Sequence, residues 1–181
     1  MKKLLFILFV GLFTTTILFS CHRNDGDDSG NNNNTGGSAS LTAERYGFDG
    51  NSSAGKFSST AAGIAKTSVS GMTIITISGI KDGGKESINI VLYGDVAVNK
   101  TYALGSGSQN GIVMRKDYQN VTDQSMSYST DNNGTLMTGG GEVKITAVNG
   151  NQIEGTFVAI CHNNSGKEAF AEQGKFTGTI N

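Results

Sequence analysis

Apolar residues in this chain recur at every second position and never settle into a helical period, and that alternation limits the fold more than any other feature. In Ser87-Ile88-Asn89-Ile90-Val91-Leu92-Tyr93 the residues Ile88, Ile90 and Leu92 fall on one side. Glu142 to Ala147 does the same with Val143, Ile145 and Ala147. Further runs of this kind are Thr73 to Ser78, Gly111 to Arg115, Ser125 to Thr130, Gln152 to His162 and Lys175 to Ile180, with weaker ones at Lys56 to Ser59, Ile64 to Ser68 and Tyr102 to Leu104. Turn-forming clusters separate them: Lys81-Asp82-Gly83-Gly84-Lys85, Asp131-Asn132-Asn133-Gly134, Asn149-Gly150-Asn151 and Asn163-Asn164-Ser165-Gly166. The expected fold is all-β, an antiparallel β-sandwich or partly open barrel of about eight to ten strands.

Proline is absent and 26 glycines, with many asparagines, do the turning. Proline normally protects strand edges, so the edges here must be guarded by charge, as at Glu142 and Lys144, or removed by closure of the sheet.

The first 20 residues stand apart. Lys2 and Lys3 precede an apolar run over residues 4–20, which is shorter than the roughly 20 apolar residues a spanning helix wants, and Leu18-Phe19-Ser20-Cys21 closes it. This is the pattern of a bacterial lipoprotein signal, cut before Cys21, with the cysteine thiolate taking a diacylglycerol as a thioether. Phe19 is bulkier than the residue usual at its position, and an ordinary secretory signal is the competing reading. One acyl chain holds a protein only marginally, whereas two or three anchor it. Residues 21–40 then read as a tether: Asp25, Asp27, Asp28, Asn31 to Asn34 and several glycines and serines offer nothing to pack. A random coil of that length reaches roughly 24 Å. Residues 41–181 are left for one domain.

Cleavage removes two of the 14 basic residues and none of the 15 acidic ones, so the mature chain is formally −3. No basic field exists to gather phosphates, which disfavours nucleic acid as a partner. With Cys21 modified, Cys161 is the one remaining thiol, and the fold must be held by its core without an internal disulfide.

Ile153-Glu154-Gly155-Thr156-Phe157, an Asn/Gly-rich turn, and Gly174-Lys175-Phe176-Thr177-Gly178 together resemble the closing hairpin of uncharacterised β-rich surface lipoproteins of Bacteroidota. Met72 to Gly79, Ser87 to Tyr93 and Lys100 to Leu104 fall in similar order, so the likeness covers roughly residues 55–181. It implies a small antiparallel β domain on the outer membrane, lipid-anchored at the cell surface, with no catalytic motif to transfer. The acidic residues behind Cys21 resemble the export tag of such lipoproteins; a solvated linker facing the periplasm is the alternative.

Candidate chemistry is sparse. Gly79 to Lys85 has the spacing of a phosphate-binding loop, but Glu86 stands where a Ser or Thr must reach Mg²⁺ and a strand follows where a helix is required, so it reads as a hairpin turn. Cys161 and His162, as strand neighbours, point to opposite faces; Cys161 reads as a buried apolar group beside Phe157 and Ala159, and His162 as an exposed strand-end residue. Asp131 to Gly134 lacks the carboxylates of a Ca²⁺ loop, and Glu168 and Glu172 share a strand face without making a glycosidase pair. No catalytic residue, metal site or cofactor is assigned. For recognition, the polar stretch from Arg115 to Asn120 is favoured, with Arg115, Tyr118, Gln119 and Asn120 as its edge, beside the loop Gly105 to Gly111. The five tyrosines offer stacking surfaces for a glycan, though tryptophan is missing. The function expected is a non-catalytic, envelope-anchored binding or accessory domain, its partner an envelope protein or a glycan. The alternatives are a lipocalin-like carrier with an apolar cavity lined by Ile88, Ile90, Leu92, Val143, Ile145 and Phe157, and a hydrolase.

Overall fold

The computed structural model describes residues 39–50 and 55–181. The signal segment, Cys21 and the tether up to residue 38 lie outside the described residues.

Among the described residues the chain forms ten strands: β1 (Ala39–Phe48), β2 (Gly55–Val69), β3 (Met72–Ile80), β4 (Ser87–Tyr93), β5 (Thr101–Leu104), β6 (Gly111–Arg115), β7 (Ser127–Ser129), β8 (Gly140–Asn149), β9 (Gln152–His162) and β10 (Glu168–Thr179). All pair antiparallel in the order β10-β1-β2-β3-β4-β6-β7-β9, and β9 pairs back onto β10, which closes an eight-strand barrel. The fold is therefore all-β, as the alternation predicts, and of the two architectures expected it is a barrel. The rest of β9's edge carries β8, and β8 carries β5. Closure removes the edges of the eight ring strands, leaving the short β5 at the end of the extension.

The ring is fastened unevenly. Eight register pairs join β1 to β10, from Ser40↔Thr177 to Phe48↔Ala169. Between β7 and β9 there is a single pair, Ser129↔His162. Side chains supplement it: Asn132 Nδ2 donates to the His162 carbonyl at 2.9 Å, and Asn163 Nδ2 donates to the Ser125 carbonyl at 3.0 Å.

Period-two burial runs cleanly through β4 and β9. Ile88, Ile90 and Leu92 are fully buried, as are Ile153, Ala159 and Cys161, with Phe157 at 3% exposure. Each fully buried Ile or Leu contributes about 1.5–3 kcal/mol against leaving it in water. The longer strands change phase at bulges. In β8 the register shifts between Ile145 and Ala147, so Val148, not Ala147, turns toward the core opposite Ile153. The expectation that Ala147 shares the face of Val143 and Ile145 is corrected on that ground. β1 shifts between Ala43 and Tyr46, β2 opposite Ala39 and Leu41, and β10 between Ala171 and Gly174, where Gln173 takes φ +52°. A bulge bends its strand and increases local twist, which is what a long strand needs to curl into a barrel.

Aromatic rings pack against glycines between β9 and β10. Gly155 faces the Phe176 ring and Gly174 the Phe157 ring, each glycine being the register partner of the phenylalanine on the adjoining strand, and a β-carbon at either glycine would collide with that ring. The residues that would line a carrier's cavity, Ile88, Ile90, Leu92, Val143, Ile145 and Phe157, belong to one buried apolar cluster.

Candidate functional site

Antiparallel register brings the end of β1, the start of β2, the β3–β4 hairpin, the end of β6 and the β9–β10 turn to one end of the barrel. Four aromatic rings stopper that end. Tyr46 lies 5.3 Å from Phe48 and 5.1 Å from Phe57, and Phe48 lies 5.0 Å from Tyr128. Tyr46, Phe57 and Tyr128 are buried, while Phe48 is half-buried. Above the stopper lies an open basin of about 440 Å³ lined by Tyr46, Phe48, Asp49, Lys81, Glu86 and Lys116. Ligand sites commonly run from about 300 to 1,000 Å³, and barrel mouths are one of their usual places.

Two ion pairs line this mouth. Asp49 and Gly50 end β1 in left-handed conformations, φ +60° and +63°, which Asp tolerates and Gly favours. The Asp49 amide donates to the Glu168 carbonyl at 2.5 Å. Its carboxylate accepts from the Tyr128 hydroxyl at 2.5 Å and pairs with Lys116 Nζ. Lys116 Nζ also lies 5.8 Å from the Phe48 ring centre and 5.6 Å from that of Tyr128, a cation over aromatic faces. The second pair is Lys81 Nζ with Glu86 at 2.6 Å, with Lys81 5.5 Å from the Tyr46 ring centre. Asp82 fixes the hairpin that carries it: its carboxylate accepts from Ser58, Thr60 N–H and the Thr60 hydroxyl at 3.0, 3.0 and 3.1 Å.

The titratable groups follow from this geometry. Burial works against ionising Asp49, but hydrogen bonds from Lys116 and Tyr128 outweigh it and hold the carboxyl below its ordinary value. Burial likewise opposes charge on Lys116, and the bonds to Asp49 and Tyr128 prevail and raise it. Tyr128 is raised by burial first and then by the Asp49 carboxylate. Tyr46 is raised well above the ordinary phenol, by burial and then by Glu86.

The residues of the expected recognition edge lie at this same end. Arg115 closes β6 and donates to the Val121 carbonyl at 3.4 Å. Tyr118 is 36% exposed and its amide donates to the Lys85 carbonyl at 2.9 Å, docking the loop on the β3–β4 hairpin. Gln119 donates through its amide to Asp117 Oδ1 at 2.9 Å, and Asn120 through its amide to the Asp117 carbonyl at 3.3 Å. None of these four lines the basin; their neighbour Lys116 does. The Gly105–Gly111 loop joins β5 to β6 away from that end.

Asp49, Phe48, Lys81 and Glu86 were not singled out from sequence as site residues. The available signal was Asp49-Gly50, a turn pair between two β runs, and the Lys81 and Glu86 that flank the Asp-Gly-Gly turn.

Other candidates fall into place. Gly79 to Lys85 is a hairpin turn, closed by Lys81 N–H to the Glu86 carbonyl at 2.8 Å. Cys161 is buried in the core, where burial pushes its thiol far up, so it stays protonated. His162 is buried at 2% exposure, which corrects the expectation of an exposed strand-end residue. Its ring packs against Gly134, whose missing side chain makes the space. Glu172 pairs with Arg45 and not with Glu168. Of the five tyrosines, Tyr46, Tyr102 and Tyr128 are core residues.

Comparison with protein-family models, curated proteins and solved structures finds no match to this chain.

Proposed function

We propose that this protein is a lipoprotein anchored to the outer membrane through Cys21, and that its barrel is a non-catalytic binding module with the mouth as its recognition site. The anchor is supported by Lys2-Lys3, the apolar run and Leu18 to Cys21, and surface display by the acidic tether and the resemblance to Bacteroidota lipoproteins. The observation that carries the binding role is the basin of about 440 Å³ set over a stoppered interior. A carrier of apolar cargo needs the space that the Gly155–Phe176 and Gly174–Phe157 contacts fill. A hydrolase needs a free nucleophile or base in a cleft, whereas Lys116 and Tyr128 are both engaged by Asp49 and Cys161 faces the core.

Two measurements test the proposal. Cys21→Ala is expected to release the protein from the membrane fraction and abolish fatty-acid labelling, and unchanged partitioning defeats the anchor. The full chain carrying Lys81→Met and Glu86→Gln is expected to lose retention of envelope components that the wild type holds. Equal retention by both removes the mouth as the site.

A further inference from the structure

We propose that the mouth takes a neutral saccharide ring, free or at the end of a glycan, gripped through adjacent hydroxyls by its two lysine–carboxylate pairs. This rests on the mouth being the recognition site, and goes further by assigning its ligand chemistry.

Charge narrows the choice first. Lys81 and Lys116 are each neutralised by a carboxylate of the same basin, Glu86 and Asp49. An anion such as phosphate would find neither lining lysine unopposed, and its approach to them would bring it against both carboxylates. A divalent cation meets the converse difficulty, and among the described residues no cluster of three His, Cys, Asp or Glu side chains assembles to hold one. The basin therefore has strong hydrogen-bonding groups with little net field.

Hydrogen-bonding capacity narrows it further. An ammonium has three N–H donors and no acceptor, and an ionised carboxylate accepts only. Lys81 Nζ spends a donor on Glu86 Oε2, and the remaining donors and lone pairs of that pair lie side by side, with side chains about 30% exposed. A hydroxyl both donates and accepts. Two neighbouring hydroxyls can thus bridge one pair, the first donating to the carboxylate and the second accepting from the lysine, without breaking the ion pair. The Asp49–Lys116 pair, which reaches from the end of β1 to the end of β6, repeats the device. Charged acceptors and donors make these the stronger kind of hydrogen bond.

The floor supplies the apolar half. Phe48 is half-buried between the two pairs, edge-on to Tyr46, and offers carbon surface to the C–H face of a ring. With Tyr46 buried beneath it, Phe48 is the one partly exposed aromatic of the basin, and that suits one sugar ring and not an extended stacked chain. The volume is likewise that of a small ligand.

The test uses the full lipidated chain in a non-glycosidic detergent, with saturation-transfer NMR against glucose, galactose, N-acetylglucosamine, maltose and lactose, and with glycine and inorganic phosphate as the zwitterionic and anionic probes. At least one saccharide is expected to receive saturation. Its affinity is expected to fall by roughly fivefold or more in Lys81→Met and again in Glu86→Gln, the loss of one or two hydrogen bonds. Circular dichroism of both variants should match the wild type, since these side chains are partly exposed. Saccharide binding that survives both substitutions unchanged overturns the assignment. Binding of glycine or phosphate alone, abolished by the same substitutions, overturns the saccharide and leaves the mouth as a site. No binding of any probe, together with equal retention of envelope components by wild type and variants, overturns both.

Discussion

The ring of Phe176 lies across Gly155, its register partner on the adjoining strand, and occupies the space where any other residue's β-carbon would stand. Glycine inside a strand ordinarily costs about 0.5–1 kcal/mol relative to alanine. At this position the balance reverses, because the added methyl would meet the ring and also sit 2.7 Å from the Lys144 carbonyl oxygen. Gly155→Ala should therefore lower stability by about 1–3 kcal/mol in urea unfolding, the usual cost of overpacking. Adding Phe176→Leu should recover part of the loss, since the two sites share one volume. An alanine variant as stable as the wild type would mean the barrel interior has slack.

Asn163 should be among the most costly polar residues to remove. It is 2% exposed, and its Oδ1 accepts from the Ser165 and Lys167 amides at 3.0 and 2.9 Å while its Nδ2 reaches the Ser125 carbonyl on the other side of the β7–β9 joint. Asn163→Ala should cost about 2–3 kcal/mol, from three hydrogen bonds with a net worth of about 1 kcal/mol each. The exposed neighbour Asn164→Ala should fall within about 0.5 kcal/mol of wild type. Equal effects at the two positions would contradict the assignment.

Acid should loosen the mouth. The Asp49 carboxyl is depressed in the folded protein, so the unfolded chain binds its proton more readily. Its contribution to stability is complete above the ordinary aspartate value of about 4 and fades as pH falls through the lower folded value. Urea midpoints measured at neutral pH and at about pH 3 should differ less in Asp49→Asn than in wild type. Asparagine also accepts the left-handed backbone at this position, so the substitution isolates the charge. An unchanged pH slope would show that Asp49 is not a principal acid-sensitive group.

Cys161 should behave as a small hydrophobe. Its thiol is raised by burial and then by Asp131, and its Sγ lies 3.7 Å from the Ile112 carbonyl oxygen. A thiol reagent at mildly alkaline pH should label the mature native protein negligibly and the unfolded protein fully. Cys161→Ala should cost less than Cys161→Ser, whose hydroxyl brings a desolvation cost of about 1–3 kcal/mol to this site. Rapid labelling of the folded protein would place the thiol at the surface.

Sequence reading captured strands that keep one phase and missed those that change it. β6 and β9 are legible residue for residue, because Gly111 to Arg115 and Gln152 to Cys161 alternate, and only the terminal His162 breaks the period by turning inward. β2 was read as two fragments, since the shift opposite Ala39 and Leu41 breaks its alternation near Thr60 and Ala61. The sequence shows β10 only from Lys175 onward because Gln173 bulges, and β1 carries no legible period, so that Ala39 and Ser40 read as tether. In β1 the inward residues Leu41 and Ala43 are followed by Glu44 and Arg45 before Tyr46, a step no strict period describes. Missing β1 also hid the site, since Phe48 and Asp49 lie at its end. Lys81 and Glu86 share the β3–β4 turn, but Asp49 and Lys116 come from elsewhere in the chain, and only the pairing of the sheet brings them to the same basin.

The unequal fastening of the ring has a bearing on how the body is assembled. Nine of the ten strand pairings, the long β1–β10 ladder among them, can form before the last joint clips shut at Ser129 and His162. A bracelet with one clasp comes undone at the clasp, and any transient opening of this protein should begin there, beside the recognition end.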